Sequence, residues 1–102
     1  MNQSDIKKLF NKARRILKHP CLDLLIAPTQ EVKGRLIIIT PGRIGTAVER
    51  NTARRRIKAI FHEEGLTKKG FDSVVFVKKE GTKLDHAHLK QIILHAFNTS
   101  NF

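Results

Sequence analysis

The spacing of apolar residues along the chain predicts three helices. The first is amphipathic, takes Ser4 as its N-cap and ends before Pro20, because the residue before a proline is pushed away from helical angles. Its apolar face consists of Ile6, Leu9, Phe10, Ala13 and Leu17. The second helix runs from Glu49 to about Glu64 and stops at Gly65, and the third begins at its cap, Asp85. The apolar face of the third helix consists of Leu89, Ile92, Ile93, Ala96 and Phe97.

Short apolar and β-branched runs between these helices predict strands. The first strand is Leu22 to Ala27, followed by a turn over Pro28 to Gly34. The second, Leu36 to Ile39, has the composition of a strand buried on both faces. Ile44 to Val48 is interpreted as a short extended piece, and Ser73 to Lys78 as the third strand. The order of helix, strands, helix, strand and helix indicates a two-layer α/β (α+β) sandwich with a small mixed sheet.

The length of 102 residues suits one domain over residues 1–102 with one modest core. Twenty Lys and Arg against nine Asp and Glu give a net charge of +11, so we expect a polyanionic partner. An anionic membrane is the weaker candidate, because no apolar run approaches the roughly 20 residues of a spanning helix.

The first nine residues include charges where a signal peptide has its apolar core. A single cysteine, Cys21, fits a reducing cytosol, so we expect a cytoplasmic protein.

The segment TAVERNTARRRIKAIF, residues 46 to 61, carries the candidate chemistry. At about 100° per residue, five side chains share one face of its helix and the apolar residues share the other. The five are Arg50, Asn51, Arg54, Arg55 and Lys58. Guanidinium groups bind phosphate oxygens bidentately, and asparagine can recognise a base edge or a sugar hydroxyl. A basic face that only keeps a protein soluble normally contains interspersed acids, and the run from Arg50 to Lys58 contains none. The segment therefore predicts a nucleic-acid contact with a log–log salt slope of about −4. Arg56 falls toward the opposite flank and is the weakest member.

These residues resemble a known family. Arg50-Asn51-x-x-Arg54-Arg55-x-x-Lys58 is similar to the RNR motif of the bacterial ribonuclease P protein subunit. The preceding run from Arg43 to Val48 resembles the family's lysine, isoleucine or valine, glycine, any residue, alanine and valine. Ser4 to Phe10 resembles its opening helix and Phe71 to Val77 its later strand, so the resemblance covers nearly the whole chain.

The resemblance implies both a fold and a role. The implied fold is of the ribosomal protein S5 domain 2-like type, with a left-handed βαβ crossover. The implied role is that of the protein subunit of an endoribonuclease, which binds a catalytic RNA and the 5' leader of precursor transfer RNA. The RNA removes the leader by phosphodiester hydrolysis with Mg²⁺ that it mainly binds itself. No catalytic residue on this chain and no protein partner are then expected.

The resemblance also implies positions for the binding residues. The RNR helix would contact the catalytic RNA, together with Arg43 in the loop before it. Phe10, Ile6 and Arg14 would line the cleft that holds the leader. Ile6 stands where the family usually has an aromatic residue, and Leu24 stands near where another often occurs. Aromatic stacking is worth roughly 1–3 kcal/mol per base, so we expect this cleft to hold the leader mainly by charge and shape.

Two other functions compete with this interpretation. The chain could be a non-catalytic RNA-binding or ribosome-associated protein on a related fold. A stand-alone metal-dependent nuclease would need clustered carboxylates, and the spacing of the aspartates along the chain matches no such motif. Those aspartates are Asp5, Asp23, Asp72 and Asp85. His86 and His88 fall on nearly opposite faces of one helix, and His88 and His95 are two turns, about 10 Å, apart, so neither pair predicts a zinc site. His62 ends the basic face and could contact RNA.

Overall fold

The computed structural model describes residues 11–30 and 32–99, in which a four-stranded sheet packs against two helices. Short 3-10 turns join these elements before and after the first of the two helices and before the second. The elements are β1 (Arg14–Lys18), β2 (Leu22–Pro28), β3 (Leu36–Ile39), α1 (Ala47–Glu63), β4 (Phe71–Val77) and α2 (His86–Thr99). The first part of the predicted N-terminal helix, including Ile6 and Phe10, lies outside the described residues.

The sheet is mixed, with the strand order β1-β2-β4-β3. β2 is antiparallel to both β1 and β4, whereas β3 and β4 are parallel neighbours and are therefore connected through α1. This architecture confirms the predicted mixed α+β class.

The two faces of the sheet differ in what covers them. Strand side chains alternate, so one face, which we name the helix face, directs its apolar residues at α1 and α2. Phe61 of α1 and Phe97 of α2 meet there edge to face, with ring centroids 6.0 Å apart. The opposite face, which we name the far face, has a smaller apolar cluster in which most members are only half-buried. The half-buried strand residues of the far face are Leu25, Ile37, Ile39 and Phe76.

The predicted first helix is wrong over residues 14–18, which form β1. Asn11 and Lys12 are still helical, and the chain becomes extended from Arg14. An apolar run as short as Ile16-Leu17 fits either a strand or a helix, and pairing with β2 decides between them. The register of this pair shifts between Arg15 and Leu17, which is a β-bulge at Ile16.

The second strand prediction is also wrong in one respect. Leu36–Ile39 does form β3, but β3 is an edge strand that pairs only with β4 among the described strands. Only Ile38 of its four residues is buried, because it lies on the helix face, whereas Ile37 and Ile39 lie on the far face and are half-buried. β-branched composition therefore indicated the strand and overestimated its burial.

The start of α1 lies two residues earlier than predicted, and only Gly45 and Thr46 of the predicted piece from Ile44 to Val48 are extended. Thr46 is the N-cap: its Oγ1 accepts from the Glu49 N–H at 3.1 Å, and its own N–H donates to Glu49 Oε1 at 2.9 Å. This reciprocal pair is a capping box, which satisfies two of the backbone groups that a helix start leaves unpaired.

The predicted stop of α1 is confirmed, because Gly65 adopts φ +61° directly after the helix. The Asp85 cap of α2 is confirmed by the His88 N–H, which donates to Asp85 Oδ1 at 2.9 Å.

An ion pair between half-exposed Arg35 and buried Asp72 fixes the beginnings of β3 and β4. The backbone N–H of Arg35 donates to Asp72 Oδ1 at 2.7 Å, and its Nη2 donates to Oδ2 at 2.9 Å. Asp72 is only 2% exposed. Burial would raise the pKa of this carboxyl, but the hydrogen bonds from Arg35 outweigh burial and hold the pKa below its ordinary value.

Among the described helices, none is long and apolar enough to cross a membrane.

Candidate nucleic-acid interface

The basic face predicted from the helical wheel exists on α1. The apolar residues Ala53, Ile57 and Ile60 are buried against the sheet, so the opposite side of the helix is directed outward. The five predicted residues fall into two groups, of which the first is fully exposed and the second is half-buried. The exposed group is Asn51, Arg55 and Lys58, and the half-buried group is Arg50 and Arg54. From first to last, the five span about 12 Å of helix axis.

Arg54 is held in place by the end of β3. Its Nη2 donates to Thr40 Oγ1 at 2.5 Å, and Thr40 is 8% exposed. The Nε atoms of Arg50 and Arg54 are both buried without a hydrogen-bond partner in the protein. The two half-buried arginines are thus partly desolvated, and one of them is oriented by a side-chain hydrogen bond before any ligand arrives.

Arg56 does not belong to this face. Its Nη1 donates to the carbonyl oxygen of Leu84 at 2.7 Å, which ties α1 to the segment before α2. The helical wheel placed Arg56 on the opposite flank, and the structure agrees with that placement.

Acidic residues on α1 lie only at its two ends, where they have partners. Glu49 belongs to the capping box, and its hydrogen bonds with Thr46 lower the pKa of its carboxyl. At the other end, Glu63 lies 3.4 Å from His86 Nε2, and Glu64 lies 2.9 Å from Lys90 Nζ. The middle of the helix therefore presents positive charge that no acid of the same helix compensates.

A second basic region adjoins the N-terminal end of α1. Arg43 is exposed in the turn Gly42–Ile44 and lines a groove of about 440 Å³ at the C-terminal end of β4. We name this the β4-end groove. Its lining residues are Asp23, Pro41, Arg43, Ile44, Phe76, Val77, Lys78 and Lys79. Lys78 is engaged within the fold, because its Nζ lies 3.0 Å from Asp23 Oδ1 and donates to the His19 carbonyl at 2.9 Å. Arg43 and Lys79 are the exposed cations of the groove.

The groove includes an aromatic residue that sequence reasoning missed. The sequence places Phe76 in the third predicted strand without assigning it to a face, and in the structure it lies on the far face, whereas Val75 and Val77 lie on the helix face. The alternation along β4 was the available signal. It could be used only once the face covered by the helices was known.

The other cleft residues predicted from the resemblance are placed as follows. Ile6 and Phe10 lie outside the described residues, so their role stays a prediction. Arg14 lies on β1 directly opposite Ile26, a residue of the helix face. Its neighbour Arg15 pairs with Leu25 of the far face. Leu24, in contrast, is fully buried beneath the helices.

The histidines show no arrangement for a metal. His62 is exposed one turn beyond Lys58, in line with the basic face. His88 Nδ1 lies 2.7 Å from Asp85 Oδ1 at the start of α2. Within residues 11–30 and 32–99, no three or more His, Cys, Asp or Glu side chains are grouped so that they could hold a metal ion.

Comparisons with known proteins identify relatives over nearly the full length. A family model described as Ribonuclease P matches residues 1–100. The Ribonuclease P protein component of Bacillus pumilus (strain SAFR-032) is 27% identical over 97 residues, which are 94% of this chain and 82% of that protein.

Solved structures with the same fold come from two bacteria. The Staphylococcus aureus RNase P protein superimposes with a TM-score of 0.81 at 17% identity, over 96% of this chain and 90% of its own. The Thermotoga maritima RNase P protein, in complex with 1-(4-fluorophenyl)-2-thiourea, gives 0.80 at 24% identity, over 95% and 94%. These likenesses establish the shared fold.

Proposed function

Because the chain belongs to the ribonuclease P protein family, we propose that it is the protein subunit of a ribonuclease P and assists removal of the 5' leader from precursor transfer RNA. The RNA subunit performs the phosphodiester hydrolysis, and this chain supplies binding. The observation that supports this role most directly is the outward basic face of α1, with Arg54 already oriented by Thr40.

In this proposal the basic face of α1 contacts the catalytic RNA. Three exposed residues, Asn51, Arg55 and Lys58, can reach phosphates or base edges without rearrangement of the fold. Arg50 and Arg54 have partly desolvated guanidinium groups, so their attraction to a phosphate is less screened by water than that of a fully exposed side chain. The four cations among these five residues correspond to a log–log salt slope of about −4.

The 5' leader binds on the far face and in the β4-end groove. Exposed Arg43 and Lys79 offer phosphate contacts, and Phe76 offers a ring near them. Arg15, paired with Leu25, extends positive charge along the same face. Phe10, Ile6 and Arg14 remain proposed members of this cleft, and Arg14 lies on the edge strand β1.

The remaining roles follow from the same proposal. Mg²⁺ is bound mainly by the RNA. No further protein is required as a partner. Since transfer RNA precursors are processed where they are made, the protein acts in the cytoplasm.

Cleavage of a precursor transfer RNA by a bacterial ribonuclease P RNA at low Mg²⁺, with and without this protein, tests the proposal. We expect the protein to stimulate cleavage and to cleave nothing alone. Binding to RNA without stimulation would favour the non-catalytic RNA-binding alternative, and cleavage by the protein alone would favour a nuclease.

A double substitution tests the basic face itself. Arg54→Ala with Arg55→Ala should weaken binding to the catalytic RNA and make the salt slope shallower by about 2, because two phosphate contacts are lost. Lys18→Gln with Lys90→Gln removes the same charge from β1 and α2 and serves as the control. Equal slopes for the two double variants, measured by filter binding over a range of salt, would exclude α1 as the RNA contact.

A further inference from the structure

A second basic pocket lies at the opposite end of the sheet, where β4 begins. It has a volume of about 270 Å³ and is lined by Lys12, Arg14, Ile26, Pro28 and Phe71. The register of the strands brings these residues together, because Arg14 is directly opposite Ile26 and Pro28 is directly opposite Phe71. The pocket thus has an apolar and aromatic surface beside two cations.

This pocket lies apart from the basic face of α1 and from the β4-end groove, and Arg14 is the one residue that it shares with the predicted leader cleft. Phe71 and Val77 are the two ends of β4, and six residue steps of a strand cover about 20 Å. Arg43 and Lys79 lie beyond the far end of that strand, in the β4-end groove. The pocket also opens on the side of Ile26, which belongs to the helix face, so it is not part of the far face.

Two loops next to Phe71, which we name the rim loops, carry further positive charge. The Gly34 N–H donates to the Thr67 carbonyl at 2.8 Å, and the Thr29 N–H donates to the Gly70 carbonyl at 3.0 Å. A Cβ on Gly34 would lie 1.9 Å from the Phe71 carbonyl oxygen, so glycine is what permits this close approach. The loops carry three exposed lysines: Lys33, Lys68 and Lys69.

Acidic residues are nearly absent from these segments. Over residues 11–18, 28–35 and 65–71 the sequence contains a single acid, Glu31, whose placement lies outside the described residues. Asp72, next in sequence to Phe71, is buried and paired with Arg35. The concentration of cations therefore favours an anionic ligand, and the ring and the proline favour a flat apolar group attached to it.

We propose that this pocket is a second RNA-binding site that holds one unpaired nucleotide. The base lies against Phe71 and Pro28, and the phosphate is bound by Lys12 and Arg14. Neighbouring phosphates contact the lysines of the rim loops. A volume of about 270 Å³ falls below the usual range for pockets of drug-sized ligands, which fits a single base. The choice of RNA as the ligand rests on the proposed function.

The test uses a short single-stranded oligouridine and the full chain, with affinity measured by fluorescence anisotropy over a range of salt. Phe71→Leu removes the ring and keeps an apolar side chain, and we expect about tenfold weaker binding, as for the loss of one stacked base. Phe71→Tyr restores the ring and should restore the affinity. Lys12→Gln with Arg14→Gln should make the salt slope shallower by about 1.4, because two single-strand phosphate contacts are lost.

Circular dichroism melts of each variant show whether the fold is kept. If Phe71→Leu unfolds, the charge variant still decides, since Lys12 and Arg14 are both exposed. Parental affinity for the charge variant at every salt concentration would overturn the proposal. So would a folded Phe71→Leu variant with parental affinity, because only diffuse charge would then remain. The proposed function fails separately, through absence of stimulated cleavage by the parent protein.

Discussion

The hydrogen bond between Thr40 and Arg54 leads to a quantitative prediction about RNA affinity. Thr40→Val keeps the shape of the side chain and removes the hydroxyl that accepts from Arg54 Nη2. The guanidinium group is half-buried, so water can replace part of the lost bond and the fold itself should lose at most about 1 kcal/mol. The larger effect should be on binding, because Arg54 must then be ordered by the RNA.

Immobilising one long side chain costs about 0.5–1.5 kcal/mol, which corresponds to roughly 2- to 12-fold weaker binding. The number of phosphate contacts is unchanged, so the affinity should fall by the same factor at every salt concentration. Arg54→Ala should behave differently and make the log–log slope shallower by about 0.9. Thr40→Ser restores a hydroxyl and should recover most of the affinity.

Filter binding of the catalytic RNA between low and moderate salt separates these outcomes. Parallel lines for the parent and Thr40→Val, with the variant displaced to weaker binding, are the expected result. Parental affinity for Thr40→Val, or a slope as shallow as that of Arg54→Ala, would refute the argument that Thr40 positions Arg54.

Two further predictions concern stability. Asp72→Asn removes the charge that pairs with Arg35 and should lower the free energy of unfolding by about 2–3 kcal/mol, measured by urea denaturation. The pKa of Asp72 is lowered in the folded state. Ionised Asp72 therefore makes its full contribution to the free energy of unfolding of the parent above the ordinary pKa of the carboxyl. The parent loses this contribution as the pH falls through the lower pKa of the folded state. Asp72→Asn should lack that acid-side loss, and identical pH profiles for the two proteins would contradict the assignment. Thr46→Ala removes the N-cap of α1 and should lower the free energy of unfolding by about 1 kcal/mol, measured by thermal melts. Thr52→Ala serves as the mid-helix control. Equal losses of stability in both variants would argue against the cap.

The sequence predicted the basic face of α1 because two independent patterns coincide there. The apolar residues Ala53, Ile57 and Ile60 recur at helical spacing and are buried, and the intervening positions contain arginine with no acid. The helical wheel even separated Arg56, whose guanidinium group binds the Leu84 carbonyl. Long periodic elements of this kind carry enough residues to specify both their type and their orientation.

Three features do not follow from hydrophobic periodicity alone. Residues 14–18 are too few for their sequence alone to distinguish helix from strand. The strand that they pair with, β2, comes after the next turn of the chain. The start of α1 was predictable from Thr46 and Glu49, whose spacing is that of a capping box. Phe76 could be assigned to the far face only after the helices were known to cover the other one.

The bulged outer edge of β1 has a consequence for how copies of this protein meet one another. An edge strand exposes backbone groups that a second strand can pair with, and two such edges brought together begin a continuous sheet. Here Arg14, Arg15 and Lys18 are exposed along that edge, and the shifted register at Ile16 interrupts its regular backbone spacing. Two copies approaching edge to edge would bring six cations together, and their backbone hydrogen-bonding groups would be out of register. Repulsion and geometry therefore both oppose self-association of the protein when no polyanion is bound.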